Sequence, residues 1–125
     1  MTMQTNILVV DDSESIRELV SDALIFAGHN VLKGVNGEDG LKHLKQFKQQ
    51  IHLIISDLNM PVMDGIEFVK KIREIPQYQY LPILILTTES QEDKRVEAKN
   101  AGATGWVVKP FDEAKLLQFV GKVLR

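Results

Sequence analysis

The sequence predicts an α/β domain: a doubly wound parallel sheet with helices on both faces. Three observations predict it. The hydrophobic period switches five times between a short continuous apolar run and helical three- and four-residue spacing, so strand and helix alternate along the chain. The runs are near-continuous in Val, Ile and Leu rather than alternating with polar residues, which is the pattern of strands buried on both faces. Parallel neighbours also need crossover helices, and the intervening segments supply them.

Ile7-Leu8-Val9-Val10 is the first strand, and Ile16, Leu19, Val20, Ala23, Leu24 and Ala27 give the following helix one apolar face, closed by Gly28. Val31 to Val35 makes a weaker second strand. After Gly37, Leu41, Leu44 and Phe47 share one helix face, and Lys42, Lys45 and Lys48 share another, solvated face. Leu53-Ile54-Ile55 is the third strand; beyond a Pro and Gly loop, Ile66, Val69 and Ile72 keep helical spacing until Pro76 stops it. Pro82 to Leu86 is the fourth strand. Val96 and Ala101 mark a helix that ends at Gly102, and its thin apolar stripe predicts a more exposed helix. Gly105-Trp106-Val107-Val108 is the fifth strand, and Leu116, Leu117, Val120, Val123 and Leu124 stripe the last helix.

All 125 residues are expected to form one domain, because the pattern runs without a linker and the length leaves no room for a second. The absence of cysteine excludes thiolate catalysis, thiolate metal sites and a disulfide framework, and fits a reducing cytosol. Seventeen acidic and fifteen basic residues are mixed along the chain for a net charge of -2, which leaves no basic footprint for nucleic acid or an anionic membrane. Proteins or small anions are the expected partners. The apolar runs fall far short of the roughly twenty residues that span a bilayer, and Met1 to Asn6 lacks the basic start and apolar core of a signal sequence. A soluble, cytoplasmic monomer is the expectation.

In open sheets of this kind ligands bind outside the carboxyl ends of the strands, so the polar residues there are the candidates. Asp11 and Asp12 follow the first strand, Asp57 the third, Thr87 and Thr88 the fourth, and Lys109-Pro110 the fifth. Taken singly each has an ordinary role: helix cap, turn residue, strand-end threonine, solvated lysine. Their arrival on one rim from four separate strands is what singles them out. Carboxylates gathered this closely repel one another unless a cation intervenes, and one lysine does not neutralise three of them. A hard divalent ion such as magnesium suits a shallow site of carboxylates and phosphate oxygens. Phosphoryl chemistry follows: one carboxylate as nucleophile forming an aspartyl phosphate, with the ion, Lys109 and the Thr87 hydroxyl on the equatorial oxygens.

Asp11-Asp12, the run Asp57-Leu58-Asn59-Met60-Pro61-Val62-Met63-Asp64-Gly65, Thr87 and Lys109-Pro110-Phe111 together resemble the receiver domain of bacterial two-component response regulators. The resemblance covers essentially the whole chain and is greatest to the stand-alone chemotaxis regulators of the CheY type. It implies a flavodoxin-like (βα)5 fold with strand order 2-1-3-4-5. It also implies that Asp57 accepts a phosphoryl group from a phosphohistidine on a sensor histidine kinase. Magnesium, or manganese in its place, would be held by Asp12, Asp57 and the Asn59 carbonyl, with Asp11 acting largely through water. Thr87, Lys109 and the backbone amides of Leu58 and Thr88 would cradle the phosphoryl group, and Lys109-Pro110 would be a cis peptide.

Trp106 stands where the family carries its switch aromatic, usually tyrosine or phenylalanine; the larger indole needs more room to turn inward and a partner for its N–H. Asn59 and Glu89 would modulate the lifetime of the phosphorylated form. The output face would comprise Gln91 to Ala101, Trp106 and Glu113 to Leu124, with a flagellar-motor switch protein as the kind of target and a phosphatase as a further partner. Other readings are a phosphate sink or relay receiver, an aspartate-nucleophile phosphatase, and a scaffold indifferent to phosphorylation. Met60 and Met63 read as packing residues, and His29, His43 and His52 as dispersed surface or packing groups.

Overall fold

The apolar runs become five strands: β1 (Asn6–Val10), β2 (Asn30–Gly34), β3 (Leu53–Ser56), β4 (Ile83–Thr87) and β5 (Gly105–Val108). Between and after them lie α1 (Glu14–Phe26), α2 (Gly37–Gln46), α3 (Gly65–Arg73), α4 (Glu92–Ala101) and α5 (Glu113–Val123). The structure, a computed structural model, describes residues 5–124. Most of the Met1 to Asn6 stretch, weighed above as a leader, lies outside the described residues, as does residue 125.

All strand pairs are parallel and the order is β2-β1-β3-β4-β5, the flavodoxin-like arrangement. Side chains alternate across the sheet. Leu8, Val10, Ile54, Ile83 and Ile85 face Leu44 of α2, Phe68 and Ile72 of α3, and Ala98 of α4. Ile7, Val9, Ile55, Leu84 and Leu86 face Val20 and Leu24 of α1 and Leu116 and Val120 of α5. Each such fully buried side chain is worth about 2 kcal/mol in apolar area removed from water, so the sheet is clamped from both sides and its carboxyl rim is held in place.

The helices start at that same rim, and most begin on a side-chain cap. Ser13 Oγ accepts from Ile16 N (3.4 Å), Asn36 Oδ1 from Asp39 N (2.8 Å), Asp64 Oδ1 from Glu67 N (2.9 Å) and Asp112 Oδ1 from Ala114 N (2.8 Å). Each satisfies a backbone N–H that has no intrahelical partner. α4 starts at Gln91 without a side-chain cap.

Several boundaries differ from the sequence reading. β2 ends at Gly34, and Val35 turns outward with its N–H donating to Asp39 Oδ2 at 3.0 Å. β4 starts after Pro82, which has no N–H to pair, although the Pro82 carbonyl accepts from Ile54 N at 3.0 Å. Leu124 is the cap of α5 rather than part of it. Pro76 does not merely end a helix: Pro76–Tyr78 forms a 3-10 turn, and the Tyr78 hydroxyl accepts from Ile51 N at 3.3 Å. α4 is the exposed helix, as its thin stripe predicts, with Ala98 buried.

Candidate functional site

The ends of β1 and β3 bring the acidic residues together. Asp11 follows β1, and its N–H donates to Gly34 O at 3.2 Å; Asp57 follows β3, and its N–H donates to Val10 O at 2.9 Å. Both side chains are nearly buried, Asp11 3% and Asp57 9% exposed, whereas Asp12 is exposed. Carboxylate oxygens of Asp11, Asp12 and Asp57 lie within 4.8 Å of one another.

Lys109, carried in after β5, is the cation of this group. Its Nζ donates to Asp11 Oδ2 at 2.9 Å and lies 3.7 Å from Asp57 Oδ2. The Lys109 N–H donates to Thr87 O at 2.7 Å, which locks the lysine loop to the end of β4. The Lys109-Pro110 peptide is cis, as the resemblance implies.

Asp11 has further partners within the fold. Besides Lys109, Ser13 N donates to its Oδ1 at 2.9 Å, and Arg17 Nη1 of α1 donates to its backbone carbonyl at 2.7 Å. Arg17 and Ser13 were not singled out in the sequence. Their signal there is faint: an arginine and a serine in the first turns of the helix that follows the acidic pair.

At Asp57, Oδ1 accepts from Leu58 N at 2.7 Å, so the amide expected to cradle a phosphoryl group already faces the carboxylate. Burial raises the pKa of Asp57 above the ordinary carboxylate value; the Lys109 charge lowers it, the Asp11 charge raises it, and the Thr87 side chain and Leu58 amide lower it. Thr87 is fully buried, and its Oγ1 accepts from Glu89 N at 3.2 Å. Thr88 and Asn59 are exposed at the rim, and Glu89 Oε2 accepts from Gln91 N at 3.3 Å, toward the start of α4. Trp106 is half-buried, packed against the α2–α4 side of the core.

The loop from Asp57 to Gly65 is tightly built. Gly65 N donates to Leu58 O at 2.6 Å, and a Cβ on Gly65 would lie 2.5 Å from Asp57 O, so glycine is required for this approach. Met63 N donates to Pro61 O at 2.8 Å around Val62, whose φ is 72°. That is a γ-turn of positive φ, a strained conformation for a β-branched residue. Met60 and Met63 pack on the core. His52 Nδ1 accepts from Asn6 N and His29 Nδ1 bonds to Thr5 Oγ1, away from the rim.

Oxygen donors this close to one another suit a hard divalent cation, since one ion can touch carboxylates from both β1 and β3. A carboxylate that burial disfavours as an anion gains most from such a charge nearby. The arrangement can hold a cation and offer a carboxylate oxygen to an electrophile.

Comparison with known proteins agrees. Residues 7–121 match the response regulator receiver domain model. Chemotaxis protein CheY-3 of Vibrio cholerae is 36% identical over 118 residues, covering 94% of this chain and 89% of that protein. Response regulator protein FleR of Pseudomonas aeruginosa is 37% identical over 96% of this chain, which spans only 24% of FleR. The solved structure of chemotaxis response regulator CheY4 of Vibrio cholerae superposes with a TM-score of 0.90 at 47% identity, covering 98% of this chain and 100% of that one.

Proposed function

This chain belongs to the response regulator receiver domain family, and on that premise we propose that it is a phosphorylation-controlled switch with Asp57 as phosphoacceptor. The observation that carries the reading is the position of Lys109 between Asp11 and Asp57, with three carboxylates close enough to share one cation.

Asp57 Oδ2 faces Lys109 while Oδ1 is engaged by the Leu58 amide, so Oδ2 is the nucleophile. It attacks the phosphorus of a phosphohistidine on a sensor kinase; the O–P bond forms as the P–N bond breaks, and the electron pair stays on the imidazole nitrogen. Asp12, Asp57 and the Asn59 carbonyl would hold magnesium, or manganese in its place, with Asp11 acting largely through water, and the ion would supply positive charge against the carboxylates and phosphoryl oxygens. Lys109 passes from Asp11 to a phosphoryl oxygen. The Thr87 hydroxyl donates to another while still accepting from Glu89 N, and the Leu58 and Thr88 amides complete the cradle. Asn59 and Glu89 flank the path of the water that later removes the group.

Residues 1–125 act as one cytoplasmic receiver domain, monomeric by default, and no described helix is long and apolar enough to cross a membrane. The output partner is a protein that docks on α4, β5 with Trp106, and α5. Likeness over nearly the full length of chemotaxis proteins favours a chemotaxis setting with a motor-switch target. Incubation with radiolabelled acetyl phosphate tests the reading: alkali-labile label that needs magnesium and is lost in Asp57→Asn supports it, and an unlabelled wild type refutes it.

A further inference from the structure

α4 is held differently at its two ends. At the start there is no side-chain cap, and Glu92, Asp93, Arg95 and Val96 are exposed. At the far end Gly102 takes φ 118°, the left-handed turn that lets its N–H reach back to the last carbonyls of the helix. The Gly102 carbonyl in turn receives two donors from one side chain on α3: Arg73 Nε at 3.2 Å and Nη2 at 2.6 Å. Arg73 Nη1 donates to Tyr78 O at 2.9 Å. One partly buried guanidinium therefore ties α3, the 3-10 turn and the end of α4 together. A Cβ on Gly102 would lie 2.9 Å from Arg73 Nε, so the glycine also makes room for the contact. The planar fork brings two donors to one oxygen, which a lysine cannot do, and a cation at a helix C-terminus meets the negative end of its dipole.

The loosely held end begins at the candidate site. Glu89 N is bonded to the Thr87 hydroxyl, and Gln91 N to the Glu89 carboxylate. A displacement of Thr87 Oγ1 thus reaches the first turn of α4 through two hydrogen bonds. Trp106 shares a recess of about 200 Å³ with Arg95, Ala98, Lys99 and Ala103, so rotation of α4 changes the surroundings of the indole.

We propose that Arg73 is a positioning residue of the output face: by holding the Gly102 carbonyl it makes the C-terminal end of α4 a pivot, so that a shift at Thr87 and Glu89 swings the other end and repacks Trp106. Without the pivot the same pull is dissipated in translation or fraying of a helix that buries little of itself. This rests on Asp57 as phosphoacceptor, because that is what moves Thr87.

The test uses the full chain with magnesium and beryllofluoride, an analogue of the phosphoryl group on a carboxylate. Trp106 is the one tryptophan, so its fluorescence reports the recess, and fluorine NMR reports occupancy of Asp57 independently. In Arg73→Gln the affinity for beryllofluoride stays within about twofold of wild type, while the fluorescence change falls to roughly half or less. Arg73→Lys, with charge but no paired donors, also falls short of wild type. A second measurement needs no variant: on adding beryllofluoride to wild type, amide exchange changes at Glu92 to Arg95 and not at Ala98 to Gly102. A full fluorescence response in Arg73→Gln, or equal exchange changes at both ends of α4, overturns the pivot alone. A wild type that binds no beryllofluoride overturns the phosphoacceptor reading and the pivot with it.

Discussion

Lys109 is hydrogen-bonded to Asp11 and ion-paired at longer range with Asp57: its Nζ lies 2.9 Å from Asp11 Oδ2 and 3.7 Å from Asp57 Oδ2. The resting lysine neutralises the carboxylate that β1 delivers and is one short movement from the group on β3. To reach a phosphoryl group on Asp57, Lys109 would have to leave Asp11, and both carboxylates depend on it in the meantime.

Lys109→Met tests that dependence. Removing this ammonium leaves two nearly buried carboxylates without their ion-pair partner, a loss of about 3 kcal/mol in a chelating buffer. Denaturant unfolding with and without magnesium measures it, and the deficit shrinks when magnesium is added. A deficit indifferent to magnesium would separate the lysine from the metal site.

The Asp57 carboxyl, raised in pKa first of all by burial, makes stability depend on pH with a fixed sign. The folded state binds the proton more tightly than the unfolded state, so stability grows as pH falls through the folded pKa toward the unfolded value of 3.8, and an ionised Asp57 is a penalty at neutral pH. Without magnesium, Asp57→Asn is therefore more stable than wild type at pH 7, and the difference closes as pH approaches the unfolded value. Thermal melts of the two proteins across that range check it.

Val62 is 73% exposed, so its side chain contributes little packing to set against the strain of φ 72°. Val62→Gly or Val62→Asn is expected to stabilise the protein by about 1 kcal/mol, read from the denaturant midpoint. A loss of stability would mean that the valine makes a contact worth more than the strain.

Gly65→Ala places a methyl group 2.5 Å from the Asp57 carbonyl and 2.8 Å from Leu58 Cα. Backbone must shift, at a cost of about 2 kcal/mol. Because the shift falls on Asp57 itself, the rate of labelling by acetyl phosphate drops along with stability. Normal labelling in a destabilised variant would show that the loop yields elsewhere.

The architecture was legible because buried parallel strands are written as continuous apolar runs, and Ile7 to Val10, Leu53 to Ile55 and Ile83 to Leu86 stand out in the sequence. Asn6 and Asn30 escaped for the opposite reason. They open β1 and β2 as polar residues paired with each other, Asn30 Nδ2 donating to Asn6 Oδ1 at 2.9 Å, and no local pattern announces that. The convergence of Asp11, Asp12, Asp57, Thr87 and Lys109 followed from the rule that strand ends share a rim. The preference of Lys109 for Asp11, the Arg17 bond to the Asp11 carbonyl and the reach of Arg73 to Gly102 depend on tertiary distances of tenths of an ångström, which spacing along a chain does not carry.

The claim on which the rest depends is that the phosphoryl group is carried by Asp57. Treatment with acetyl phosphate and magnesium, followed by borohydride reduction and peptide sequencing, reads this directly, since an aspartyl phosphate is reduced to homoserine while a free aspartate is not. Homoserine at position 57 is the predicted result. Homoserine at Asp11 or Asp12 instead, or unaltered aspartate at all three positions in a folded protein, contradicts it.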